Sequence, residues 1–202
     1  MKILGYGEDA LTLWALKNRL PQILDDPSDL PECKIFYRPS FGRRGGPSSS
    51  QFGEFDFIIL TKTCIYLGES KWDRSPELSN AGSVELRPEQ VLRHRVFAFY
   101  VREWAFGQYD SWDKFLDGQK KFAREEINKP LAPTDSHLAS NLRTVLGIIR
   151  RHFLKEPQII NLLLYLYDGS KGKPPNKTVS EFRLVPVDYS GFAEGNFIPI
   201  EI

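Results

Sequence analysis

The residue types that could do chemistry gather in one block. It reads Gly53-Glu54-Phe55-Asp56-Phe57-Ile58-Ile59-Leu60, then a Thr-Lys-Thr link, then Cys64-Ile65-Tyr66-Leu67-Gly68-Glu69-Ser70-Lys71-Trp72. An acid opens one apolar run and Glu-x-Lys ends the next. If both runs are strands, side chains alternate along them and Glu69 shares a face with Lys71. A hairpin centred between Lys62 and Thr63 puts Asp56 opposite Glu69 on that face, at a cross-strand distance of roughly 5 Å. Two carboxylates so close repel unless a cation lies between them, and hard divalent cations prefer such oxygen ligands. Lys71 alongside would orient or activate a water, or stabilise charge on a reacting phosphate. A register slip of one residue would turn Asp56 to the opposite face.

Glu-x-Lys by itself carries little information, since roughly one is expected by chance in a chain of ordinary composition. Glu32-Cys33-Lys34 is a second copy with no acidic strand before it. What distinguishes the later copy is its conjunction with Asp56 and two apolar runs, where ionisable groups are costly unless paired or liganded. A structural ion pair among Asp56, Glu69 and Lys71 is the competing account.

This block resembles the PD-(D/E)xK, or restriction-endonuclease-like, nuclease superfamily. Gly53-Glu54-Phe55-Asp56 followed by Glu69-Ser70-Lys71 is most similar to the form seen in NERD-type domains and archaeal Holliday-junction resolvases. The resemblance spans roughly residues 5–105 and is strong at 53–72. It implies a three-layer α/β/α sandwich around a mixed sheet, and hydrolysis of phosphodiester bonds in DNA with Mg2+ or Mn2+. It also implies that Asp56, Glu69 and the backbone carbonyl of Ser70 hold the metal while Lys71 acts on water. Phe55 stands where the motif's name has Pro, a position that varies among members. Glu8 matches the first-helix glutamate that reaches the metal in many members, although the helix dipole also favours an acid at a helix start. Gln90 resembles a glutamine that some branches carry on the helix after Glu-x-Lys. A solvated helix position is the preferred reading for Gln90 and also for His94, one turn further on. His137 and His152 read as structural or exposed.

Nucleic acid also requires cationic and stacking contacts. Cys33–Phe52 carries Lys34, Arg38, Arg43 and Arg44 and no acid. Arg43 and Arg44, in a Gly/Ser-rich stretch over residues 42–53, are the preferred phosphate contacts. Arg87 belongs to a second basic window with Arg93, Arg95 and Arg102, and Lys171, Lys173 and Lys177 form a third. Most of these lysines and arginines read as solvated surface. Trp72 could stack on a base or serve as a half-buried structural residue.

Around this block the sequence predicts the elements that hold it. Helical spacing over 8–20 ends at Pro21, and strands follow at 34–37, 55–60 and 64–69. A polar loop covers 72–87. Pro88 opens a helix running to about residue 106. Further helices are expected over about 111–128 and 136–154, the latter capped by Thr134 and Asp135. Strands at 158–167, 182–187 and 197–200 close the chain. The pattern is α/β, one domain over 1–202, with a helical embellishment at about 107–135.

Composition bounds the function. The 202 residues are 41% hydrophobic and 26% charged, with 27 Lys+Arg against 26 Asp+Glu, so binding by bulk positive charge is excluded. The longest apolar run, Ile159–Tyr167, is far short of the ~20 residues of a membrane helix. Glu8 and Asp9 precede any apolar segment, so a secretory signal is not expected. Cys33 and Cys64 provide neither a disulfide framework nor a four-ligand zinc site. A cytoplasmic protein is the expectation. The principal functional alternatives are a nuclease-like subunit that binds nucleic acid without cutting, and the same chemistry on RNA. Cutting both strands would suit a homodimer.

Overall fold

The computed structural model describes the chain except for residues 26, 43–47, 76–82, 179–180, 196 and 202. In chain order the elements begin with β1 (Lys2–Tyr6), α1 (Gly7–Asn18), α2 (Leu20–Ile23) and a 3-10 turn at Pro27–Glu32. Next come β2 (Lys34–Tyr37), β3 (Ser40–Phe41), β4 (Gly53–Glu54), β5 (Phe57–Leu60), β6 (Cys64–Trp72) and β7 (Ser83–Val84). The helical stretch comprises α3 (Pro88–Tyr100), a π-helical turn at Val101–Ala105, α4 (Trp112–Glu126) and α5 (His137–His152). The chain closes through β8 (Gln158–Tyr167), β9 (Lys177–Thr178), β10 (Arg183–Asp188) and β11 (Phe197–Glu201).

Five strands form a mixed sheet in the order β10-β8-β6-β5-β2. β5 runs antiparallel to β2 and β6, while β6, β8 and β10 are mutually parallel. Parallel β6 and β8 need a long crossover, which α3, α4 and α5 supply. Alternation along the strands splits the core in two. Ile58, Leu60, Ile65 and Leu67 face α3 and α5, whereas Phe57, Ile59 and Tyr66 face α1 with Leu162, Leu164 and Leu166. Both faces are therefore covered by helices, which explains why β5 and β6 are apolar almost throughout.

Several expectations change. β1 pairs antiparallel with β11, joining the two ends of the chain in a two-stranded sheet against α1, an element absent from the sequence reading. Pro21 does not close the first helix. It lies in the first turn of α2, where the missing N–H is harmless. Ser136, not Thr134 or Asp135, caps α5, its Oγ accepting the Ala139 N–H at 3.1 Å. The expected loop at 72–87 contains the end of β6 and the short strand β7, paired with β9. The strand expected at 55–60 is broken before Phe57, with Gly53–Glu54 paired instead to Ser40–Phe41. The segment at 107–135 shares the main core: Trp112 and Phe115 pack against Tyr100, and the Trp112 indole donates to the Ala132 carbonyl at 2.8 Å.

Candidate functional site

The β5–β6 ladder pairs Phe57 with Gly68 and Leu60 with Ile65, the register that carries Asp56 opposite Glu69. Asp56 lies one residue beyond the ladder, at a bend in the chain between β4 and β5. Arg38 has φ 52°, uncommon for a residue with a side chain, and its N–H donates to the Asp56 carbonyl at 3.0 Å. Phe55 N–H donates to the Pro39 carbonyl at 3.2 Å. At this bend the Asp56 carboxylate bonds across to β6, where Oδ2 accepts the Ser70 N–H at 2.7 Å. N–H and C=O of one strand residue point to the same side, so the Ser70 carbonyl also faces Asp56.

Asp56, Glu69 and Lys71 line a cleft of about 480 Å³ together with Glu8, Gln90 and Arg93. Burial and the neighbouring Glu69 carboxylate push the Asp56 pKa from the ordinary 3.8 up to about 7. Glu8 adds to that rise, while the Ser70 N–H and Lys71 oppose it. Among the described residues no cationic group lies within ion-pair distance of Asp56. Lys71 is only 7% exposed, and its ammonium has no hydrogen-bond or ion-pair partner among them. That ammonium is not among the buried atoms without a partner, so it opens onto the cleft, where water or an anion can attend it.

Glu69 is differently placed. At 1% exposure its Oε1 accepts from Arg93 Nη1 at 2.6 Å and lies 3.3 Å from His94 Nε2. Its Oε2 accepts from Gln90 Nε2 at 3.0 Å. The His94 ring reaches Asn161 Oδ1 through Nδ1 at 2.9 Å. Gln90 is also the cap partner of α3, its Oε1 accepting the Arg87 N–H at 3.1 Å. Gln90, Arg93 and His94 are all buried, so the solvated reading of this helix face is overturned. Their spacing of three and four residues puts them on one stripe of α3, and that stripe covers Glu69. Sequence reasoning counted Arg93 only as one charge in a basic window. The signal available was this Gln-x-x-Arg-His stripe beside Val96 and Phe97.

Other expected site residues separate into three cases. Glu8 reaches the cleft, and its Oε2 accepts from Trp72 N–H at 2.9 Å and Ser75 Oγ at 2.8 Å, fastening α1 to the end of β6. Trp72 is held structurally rather than offered for stacking. Its indole donates to Tyr189 Oη at 2.8 Å, and the Arg74 guanidinium lies 4.6 Å from its ring centroid. Arg87 sits exposed at the N-cap of α3, and Arg43 and Arg44 lie outside the described residues.

The donor set fits a divalent cation. Asp56 keeps one oxygen without a partner, and Glu69 Oε2 keeps one lone pair beyond the Gln90 bond. Among the described residues no three His, Cys, Asp or Glu side chains gather around one point. Asp56, Glu69 and the Ser70 carbonyl would hold the ion and leave the rest of its shell to water, as small hard cations prefer. The chain matches no family model, no curated protein and no solved structure.

Proposed function

We propose that this chain is a divalent-metal-dependent endonuclease of restriction-endonuclease-like fold, hydrolysing phosphodiester bonds in DNA with Mg2+ or Mn2+. The observation that carries the reading is the convergence of Asp56 and Glu69, with Lys71 unpartnered beside them, in one cleft between α3 and the end of β6. A bound cation would lower the pKa of an attacking water and neutralise charge developing on the phosphate. Asp56 and Glu69 hold that ion. Lys71 orients the water or takes its proton, and otherwise steadies the phosphate oxygens. Asp56 accepts the Ser70 N–H and so stays aimed across the bend.

One observation favours a second reading, a nuclease-like protein that binds nucleic acid without cutting. Glu69 is already neutralised by Arg93 and bonded by Gln90, an arrangement that needs no metal. The deciding experiment incubates the protein with single-stranded, duplex and branched DNA and the corresponding RNAs, with Mg2+, Mn2+ or EDTA. Metal-dependent cleavage of DNA that EDTA stops supports the first reading. Cleavage confined to RNA changes the substrate. Retained binding with no cleavage under any metal assigns the second.

A further inference from the structure

The least expected residue in the cleft is Arg93. It is 3% exposed, faces the 1% exposed Glu69, and receives the close approach of Gly53, where an added Cβ would lie 3.3 Å from Arg93 Nε. Its guanidinium is incompletely satisfied. Nη1 makes both the bond to Glu69 and one to the Glu54 carbonyl, Nε is buried without an acceptor, and the Phe55 ring centroid lies 5.7 Å away. The contact with Glu69 therefore rests on one nitrogen, not the parallel two-bond fork that makes arginine–carboxylate pairs strong. Arg93 also lines the cleft, so whatever enters can reach it.

The charge balance points the same way. The cleft is lined by Glu8, Glu54, Asp56 and Glu69 against Arg38, Lys71 and Arg93, four acids against three bases, a net charge of −1 when all are ionised. Glu69 Oε1 is occupied by Arg93 and His94, so a cation cannot take both Glu69 oxygens while Arg93 stays. A divalent ion added to this lining turns its net charge to +1, and the nearest repulsion comes from the guanidinium that shares its ligand.

We propose that Arg93 is a resident counterion that competes with the divalent cation for Glu69. It neutralises the carboxylate when no metal is held, and it keeps the metal affinity low. This rests on the metal site proposed above.

The test measures Mn2+ affinity by calorimetry for wild type, Arg93→Gln, Arg93→Lys and Asp56→Asn, with thermal melts of each with and without Mn2+. Arg93→Gln should bind Mn2+ about tenfold tighter than wild type, because a positive charge next to a ligand has gone. Without metal it should melt lower, since Glu69 is then a buried charge without its partner, and Mn2+ should restore the melt. Arg93→Lys, which keeps the charge but not the reach, should show a smaller gain. A purely structural Arg93 predicts a lower melt with Mn2+ affinity unchanged or reduced, and that result overturns the proposal. Failure of both variants to fold even in Mn2+ also overturns it, because the ion is held to replace the guanidinium. The metal site itself fails differently: wild type, Arg93→Gln and Asp56→Asn would then show no difference in Mn2+ binding.

Discussion

Asp56 holds its proton more tightly in the fold than in the unfolded chain, because burial and Glu69 raise its pKa from 3.8 to about 7. The stability linked to that proton is fully present below the unfolded value and is lost as pH rises through about 7. Asn mimics the protonated side chain and keeps an oxygen for the Ser70 N–H. Asp56→Asn should therefore stabilise the metal-free protein more at pH 8 than at pH 5, by a difference on the order of 2 kcal/mol, and raise its melting point accordingly. Melts in EDTA at the two pH values measure it, and an equal gain at both would remove the assigned environment. Lys71 makes a separate prediction. Lys71→Ala should retain Mn2+ and DNA binding and lose ~10²–10⁴ in cleavage rate, the usual worth of general acid–base assistance. Single-turnover cleavage, read beside Mn2+ titration and a melt, distinguishes this from a lysine kept for stability, whose loss would lower the melt.

The β5–β6 hairpin carries the site because its register is pinned from both sides. Gly68 is the tightest point: a Cβ there would lie 2.1 Å from the Phe57 ring, which is fully buried. Phe57 is the residue after Asp56, so any shift of its ring acts on the bend that aims the carboxylate. Gly68→Ala should destabilise by ~1–3 kcal/mol, the usual cost of overpacking. It should also weaken Mn2+ binding although it removes no ligand. Denaturant unfolding and metal titration check both, and a wild-type-like variant would mean the hairpin tolerates a register or ring change that leaves the site intact. On α3 the same logic runs through Gln90, which ends one hydrogen-bond chain at the Arg87 N–H and another at Glu69. Helix start and site geometry thus share one side chain.

At the scale of the whole molecule, the metal binding proposed above would be one equilibrium with folding. The acids sit on β5 and β6, the face that covers them belongs to α3, and Glu8 ties in α1, so the site forms only when the sheet and both helical layers have assembled. A ligand bound by the folded form alone stabilises by about 2.7 kcal/mol at a hundredfold excess over its Kd. Mn2+ should accordingly raise the melting point of wild type in a concentration-dependent way and leave Asp56→Asn/Glu69→Gln unmoved. A shift of the same size in the double variant would place the metal elsewhere. No helix among the described residues is long and apolar enough to cross a membrane.

What the sequence determined by itself is local. Two apolar runs around the short Thr61–Thr63 link placed the β5–β6 hairpin, and a turn centred between Lys62 and Thr63 set the register that puts Asp56, Glu69 and Lys71 on one face. Side-chain period and turn length are properties of neighbouring residues, so they are legible in order along the chain. Pairing between distant segments is not. Nothing near Lys2–Tyr6 signals β11, because the partner strand lies at the other end of the chain. The bend at Asp56 is held by Arg38 and Pro39, which lie between β2 and β3 far back along the chain. The fate of α3 was decided the same way. Gln90, Arg93 and His94 look like a solvated polar face until packing brings Glu69 beneath them, and a buried carboxylate then requires the partners they supply. Sequence placed the acids; only the tertiary structure decided which charges answer them.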